Sequence, residues 1–72
     1  MKHPIDFETT VAGIPCGVVI THYLIDQADD GEFVERDWFL VDLKGYKADW
    51  LERKMSRKDE RRIKHEIDGV MA

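Results

Sequence analysis

The apolar residues of this chain change their spacing once, near residue 45, and that change sets the fold class. Before it they alternate; after it they recur every third or fourth position. Alternation marks a strand with one buried face, and the longer period marks an amphipathic helix. A chain with this order of patterns folds as strands followed by helix, an α+β arrangement with sheet over about residues 4–44 and helix over about 49–71.

Ile5, Phe7, Thr9 and Val11 share one side of the first strand, and Asp6, Glu8, Thr10 and Ala12 share the other. "AGIPCG" then supplies turn chemistry. Either Pro15 takes the second position of a type I or II turn, or Gly13 opens a type II′ turn. Both options leave the same side chains on the same face. The second strand, "GVVITHYLI", is rich in β-branched residues. In "QADDGEF", Asp30-Gly31 is a dipeptide favoured by type I′ hairpins. A turn there sets Ile20 against Val41 and His22 against Phe39, with Tyr23 against Trp38 on the opposite face.

Past Leu43 the sequence "KGY" turns the chain, and Asp49 is placed to cap a short helix that begins at Trp50. Ser56 and Asp59 have capping-box spacing. Ile63, Ile67, Val70 and Met71 form one helical stripe, and Leu51 and Met55 repeat the same step upstream. These patterns predict a three-stranded antiparallel meander followed by helix. Its core is Ile5, Phe7, Val11, Val18, Ile20, Phe39, Val41 and Leu43, covered by Ile63 and Ile67.

Seventy-two residues make one small domain, and cores of that size rarely supply more than about 3–5 kcal/mol. Cys16 is the single cysteine, so an internal disulfide is excluded and no zinc-ligand spacing exists. The N-terminus lacks the apolar run of a signal peptide, and "CGVVI" is far shorter than the roughly 20 residues that span a bilayer. The expectation is a cytoplasmic protein without a membrane segment.

Charge is divided unevenly. Residues 1–42 carry nine Asp/Glu and two Lys/Arg, whereas residues 43–72 carry nine Lys/Arg and six Asp/Glu. The second half therefore offers two cationic candidates for nucleic acid. In "DLKGYKADWLERKM" the lysines and arginines surround Tyr46 and Trp50, but Asp49 and Glu52 dilute them; a strand-to-helix corner, plugged by Trp50 and Leu51, explains the stretch better. In "RKDERRIKHE", Arg57, Arg61, Arg62 and Lys64 supply a cationic helix side suited to phosphates. Asp59, Glu60 and Glu66 are interleaved there, as on an ordinary solvated helix.

No reaction is suggested. His22 and Cys16 are six positions apart, roughly 20 Å along a strand at ~3.3 Å per residue, too far for a nucleophile–base pair. His3 and His65 complete no metal-ligand spacing, and "DQADDGE" lacks the fixed ligand positions of a calcium loop. The expectation is a chain with no catalytic residues, no cofactor and no metal. The second sheet face is more informative. Val19, Tyr23, Ile25, Val34, Trp38 and Leu40 are expected to point away from the helix, and an exposed apolar patch of this kind marks a binding surface. A protein partner or a second copy is the expected occupant, with nucleic acid on the basic helix as the alternative.

With "VAGIPCGVVI", "DDGEF" and "DLKGYKADWLERKM" placed, the chain resembles small proteins encoded by bacteriophages and prophages. These pair a short meander with a Gly-aromatic corner, a "WLE" step and a basic C-terminal helix. The resemblance implies a phage or bacterial origin, a cytoplasmic setting and a role in modulating a host protein. It assigns no functional residue.

Overall fold

The computed structural model of the chain describes residues 1–71. Three antiparallel strands, β1 (Phe7–Val11), β2 (Ile14–Ala28) and β3 (Gly31–Val41), form one sheet in the order β1-β2-β3. Two helices follow, α1 (Asp49–Lys54) and α2 (Arg57–Met71). The α+β meander-then-helix arrangement is the one the change of period predicts.

The first turn closes at Ala12-Gly13, with Val11 opposite Ile14. Both turn residues have positive φ, 52° and 78°, as a type I′ turn requires. This turn is earlier than either expected one, but the partner register shifts by an even number of residues, so the faces of β1 and β2 are unchanged. Pro15 is accommodated because Val11 and Ile14 are the hydrogen-bonded pair next to a two-residue turn. The following residue therefore aims its nitrogen away from β1. β3 does not reach that far, since its last partner is Gly17. The missing N–H leaves no ladder bond broken.

The second hairpin departs from expectation. It turns at Asp29-Asp30, with Ala28 opposite Gly31, and keeps that register down to His22 opposite Asp37. Thr21 is then an extra residue, and Ile20 faces Trp38. The Thr21 hydroxyl donates to the Asp37 carbonyl at 3.1 Å, giving this β-bulge a local bond. One extra residue on one strand reverses the facing of that strand relative to its partner. The even-numbered residues of β3 therefore look toward the helices throughout. Leu40 is in the core, and Trp38 packs against it, whereas Phe39 and Val41 occupy the other face.

The core under the helices is Val11, Cys16, Val18, Leu40, Ala48, Leu51, Ile63 and Ile67, with Phe7, Ile14, Ile20, Tyr23, Trp38 and Met55 packed against it. Leu43, expected inside, is exposed. Phe39 and Val41 are nevertheless shielded, because the N-terminal arm and the 42–48 loop cover that face. His3 stacks edge-on against Phe39 at 4.9 Å, and the Lys47 ammonium lies 5.6 Å from the same ring. Ile5 lies against Gly17, where a Cβ would meet its side chain at 2.8 Å.

α1 starts at Asp49, one residue before the expected start. Ala48 holds the cap position and makes no side-chain cap bond. At α2 the expected capping box forms: Asp59 N–H donates to Ser56 Oγ at 3.1 Å, and Ser56 N–H to Asp59 Oδ2 at 3.4 Å. Asp59 also accepts the Ala12 N–H at 3.2 Å, and Arg62 donates to the Thr10 carbonyl. Those bonds tie the start of α2 to the first turn. Ile63 and Ile67 are buried as expected, but Val70 and Met71, beyond them on the same stripe, are about half exposed.

Candidate functional site

The sheet is three strands wide only at one end. β1 stops where Phe7 faces Val18, and Asp6 closes the end of the ladder. Asp6 N–H donates to the Val18 carbonyl at 2.9 Å, and its carboxylate accepts the Ile20 N–H at 2.7 Å. Beyond Ile20 the outer edge of β2 has no strand beside it. On the other side, Ala48 N–H donates to the Leu40 carbonyl and Lys47 bridges Val41, so the edge of β3 is covered only at its end. What remains is a two-stranded ribbon, residues 22–37, with both edges open among the described residues.

This ribbon carries apolar side chains on both faces. Ile25 and Val34 share the helix-side face with Tyr23 and Arg36; Leu24 and Phe33 share the other with His22 and Glu35. Leu24 is 45% exposed, Ile25 48% and Phe33 57%. Around them lie Asp26, Asp29, Asp30, Glu32, Glu35 and Asp37, against Arg36 as the ribbon's one basic residue other than His22. The arrangement is an acidic arm with an apolar spine.

A cluster of three side chains fixes the arm to the body. Arg36 grips Asp68 of α2 with two bonds of 2.7 Å, and the Tyr23 hydroxyl donates to the same carboxylate at 3.1 Å. The Arg36 hydrogen bonds hold the Asp68 carboxyl below its ordinary value of 3.8. Desolvation, then its bond to Asp68, pushes the Tyr23 hydroxyl up. Asp59 is also lowered, first by the Ala12 N–H. A carboxylate with a depressed native pKa adds stability that is complete above its unfolded value and is lost as pH falls through the native one. Thermal stability is therefore expected to be level above about pH 5 and to decline below about pH 4. Asp68→Asn should lower the melting temperature at neutral pH and shrink that acid decline, as read by circular dichroism melts across pH. An acid limb identical in both proteins would contradict the assignment.

Of the side chains expected on one free face, all but Val19 share the helix-side face instead. Leu40 is fully buried, Tyr23 and Trp38 pack against the core on the helix side, and Val34 is half-buried on that side. Val19 alone lies on the opposite face, nearly buried. The Thr21 bulge is the cause: β2 switches facing across it, which brings Tyr23 to the helix side and pairs the even-numbered residues of β3 with the inward face of β2 throughout. Sequence reasoning missed Leu24 and Phe33 as the exposed pair. The signal that could have found them is the run "YLI", which makes both faces of the strand apolar although the helices lie on one side of it.

Of the basic residues on α2, Arg57, Arg61 and Lys64 line one shallow depression together with Glu60. Lys64 pairs with Glu60 at 3.1 Å. Arg62 points elsewhere, to Asp59 at 3.3 Å and Glu66 at 3.5 Å as well as Thr10. At the 42–55 corner Leu51 is buried, but Trp50 is 45% exposed, so only Leu51 acts as the expected plug. An open cleft of about 530 Å³ lies between the N-terminal arm and this corner, lined by residues that include Lys2, His3, Lys44 and Tyr46.

Cys16 is fully buried, and burial raises its thiol pKa. His22 is half exposed beside Glu35 at 3.4 Å, on the ribbon. Among the described residues no three His, Cys, Asp or Glu side chains converge as metal ligands, and no helix is long and apolar enough to cross a membrane. In comparisons with known proteins, the family model described as "YuA phage, Gp49" matches residues 6–67. No curated protein and no solved structure matches.

Proposed function

The chain belongs to the YuA phage Gp49 family, and from that premise we propose that this phage-encoded protein is a non-enzymatic interaction module. It engages a protein, either a host protein or a second copy of itself, through the ribbon of residues 22–37. The supporting observation is the exposure of Leu24, Ile25 and Phe33 on an arm whose two backbone edges are open. Exposed apolar side chains beside unpaired strand edges suit both a hydrophobic contact and strand addition.

The test is capture from a host-cell lysate with the immobilised native chain and with Phe33→Lys. Phe33 is exposed, so its replacement leaves the core intact, and the melting temperature checks this. A partner held by the native chain and released by the variant is the expected result. Equal retention by both would refute the ribbon as the element that docks a host protein.

A second reading is favoured by the shared depression of Arg57, Arg61 and Lys64, since Arg57 and Arg61 make no ion pair among the described residues. It expects DNA or RNA binding that weakens steeply with added salt. An Arg57→Glu, Arg61→Glu double variant with undiminished retention at low salt would exclude it.

A further inference from the structure

We propose that the outer edge of β2, residues 21–27, pairs antiparallel with the same edge of a second copy, with Leu24 on the two-fold axis. This rests on the ribbon being a docking element and names its occupant.

The backbone directions come first. Ala28 and Gly31 flank a two-residue turn and are a hydrogen-bonded pair, so bonding to β3 alternates from there. Asp26, Leu24 and His22 aim their backbone groups at β3; Gln27, Ile25 and Tyr23 aim theirs outward. A two-fold axis through an antiparallel pair stands perpendicular to the sheet, so each side chain meets one on its own face. Centred on Leu24, outward Tyr23 meets outward Ile25 of the second copy, which satisfies both backbones.

The side chains then match. On the helix-side face the Tyr23 ring lies beside Ile25 of the second copy. On the other face Leu24 meets Leu24, and His22 meets Asp26. Thr21 falls opposite Gln27 at each end. No like charges are opposed within this segment. Shifting the axis to Ile25 sets Leu24 against Asp26, and shifting it to Tyr23 sets Leu24 against His22. Ile20 would then have to pair with Asp26 although its N–H is already bonded to Asp6.

The edge of β3 is a poorer template. Between residues 32 and 37 it carries Glu32, Glu35 and Asp37, and its cation is already held by Asp68 through two bonds. Between residues 21 and 27 the β2 edge carries Asp26 as its one carboxylate. Like charges directly across a ladder are destabilising. Repulsion enters only at the ends, where Asp29 and Asp30 of one copy approach Asp6 of the other. Screening at higher ionic strength therefore strengthens the pairing.

Sedimentation velocity over a concentration series tests this in the full chain. The expected result is a monomer–dimer equilibrium that moves toward dimer as salt rises. Leu24→Lys should raise the midpoint concentration at least about tenfold, the equivalent of about 1.4 kcal/mol. Ile25→Pro removes an outward N–H while sparing the bonds between β2 and β3, so it should abolish the dimer in a chain that still shows the native circular dichroism spectrum.

Cross-linking fixes the register whatever the proline does. Residues directly opposite at a non-hydrogen-bonded position are about 4.5 Å apart at Cα, within disulfide reach. Leu24→Cys with a mild copper–phenanthroline oxidant should give a covalent dimer, and Phe33→Cys should not. Cys16 is fully buried and stays silent. A chain monomeric up to millimolar concentration, or one cross-linked equally well through Phe33→Cys or Val34→Cys, would overturn the proposal. If Phe33→Lys still releases a host protein in that case, the docking role of the ribbon stands and only the second copy is removed as its occupant.

Discussion

Ile67→Asp is expected to leave the chain unfolded at room temperature. Ile67 is fully buried in the cluster that joins α2 to Val18 and Leu40. Truncating such a side chain to alanine costs about 2–5 kcal/mol, and a carboxylate without a partner costs more. A core of this size supplies only about 3–5 kcal/mol, so the loss exceeds the reserve. Val70→Asp is the control. It lies three residues on in the same stripe but is half exposed, and surface changes usually stay within about 0.5 kcal/mol. Far-UV circular dichroism and urea titration separate the two. An unchanged melting temperature for Ile67→Asp would contradict the packing of α2 on the sheet.

Gly45→Ala should be the next most damaging change, by about 2–3 kcal/mol. Gly45 has φ +96°, and a Cβ there would lie 2.5 Å from the His3 carbonyl oxygen. A side chain at such a φ costs about 1–2 kcal/mol before any clash. The clash is with backbone, so the N-terminal arm itself has to move. That breaks the 2.7 Å bond from His3 N–H to the Gly45 carbonyl and withdraws the His3 ring from Phe39. Gly13→Ala isolates the conformational part, since φ is +78° but nothing lies within 4 Å of its Cβ. It should cost roughly half as much, about 1 kcal/mol. Urea unfolding gives both values, and faster exchange of the His3 amide in Gly45→Ala reports the lifted arm. Equal losses for the two glycines would remove the arm contact from the explanation.

Much of this fold is legible in the sequence because local chemistry carries it. The switch of period near residue 45 separates sheet from helix, and Ser56 with Asp59 announces the start of α2. Ile63 and Ile67 announce its buried side. The first turn was harder to place. Ala12 takes a positive φ that alanine does not advertise, so the sequence favours a turn opened by Gly13 or Pro15.

The faces of β3 are hidden from the sequence for a clearer reason. Thr21 lies in a β-branched run with no glycine or proline to mark an extra residue. Alternation could not correct the error, because Phe39 and Val41 are as apolar as Trp38 and Leu40. Both faces of the sheet are covered at that end, one by the helices and one by the N-terminal arm, so both sets of positions are apolar. The binding face inferred from the sequence followed that misassigned register. The ribbon's exposed apolar residues, Leu24, Ile25 and Phe33, lie instead beyond the bulge.

The facing of β3 decides which surface is free, and methyl–methyl nuclear Overhauser contacts measure it directly. Cross-peaks are expected from the Leu40 methyls to those of Leu51, Ile63 and Ile67, together with contacts from the Tyr23 ring to the last turns of α2. Cross-peaks from the Val41 methyls to Ile63 and Ile67, with Leu40 giving none, would mean that β3 faces the other way and that Tyr23 and Trp38 are on the open side.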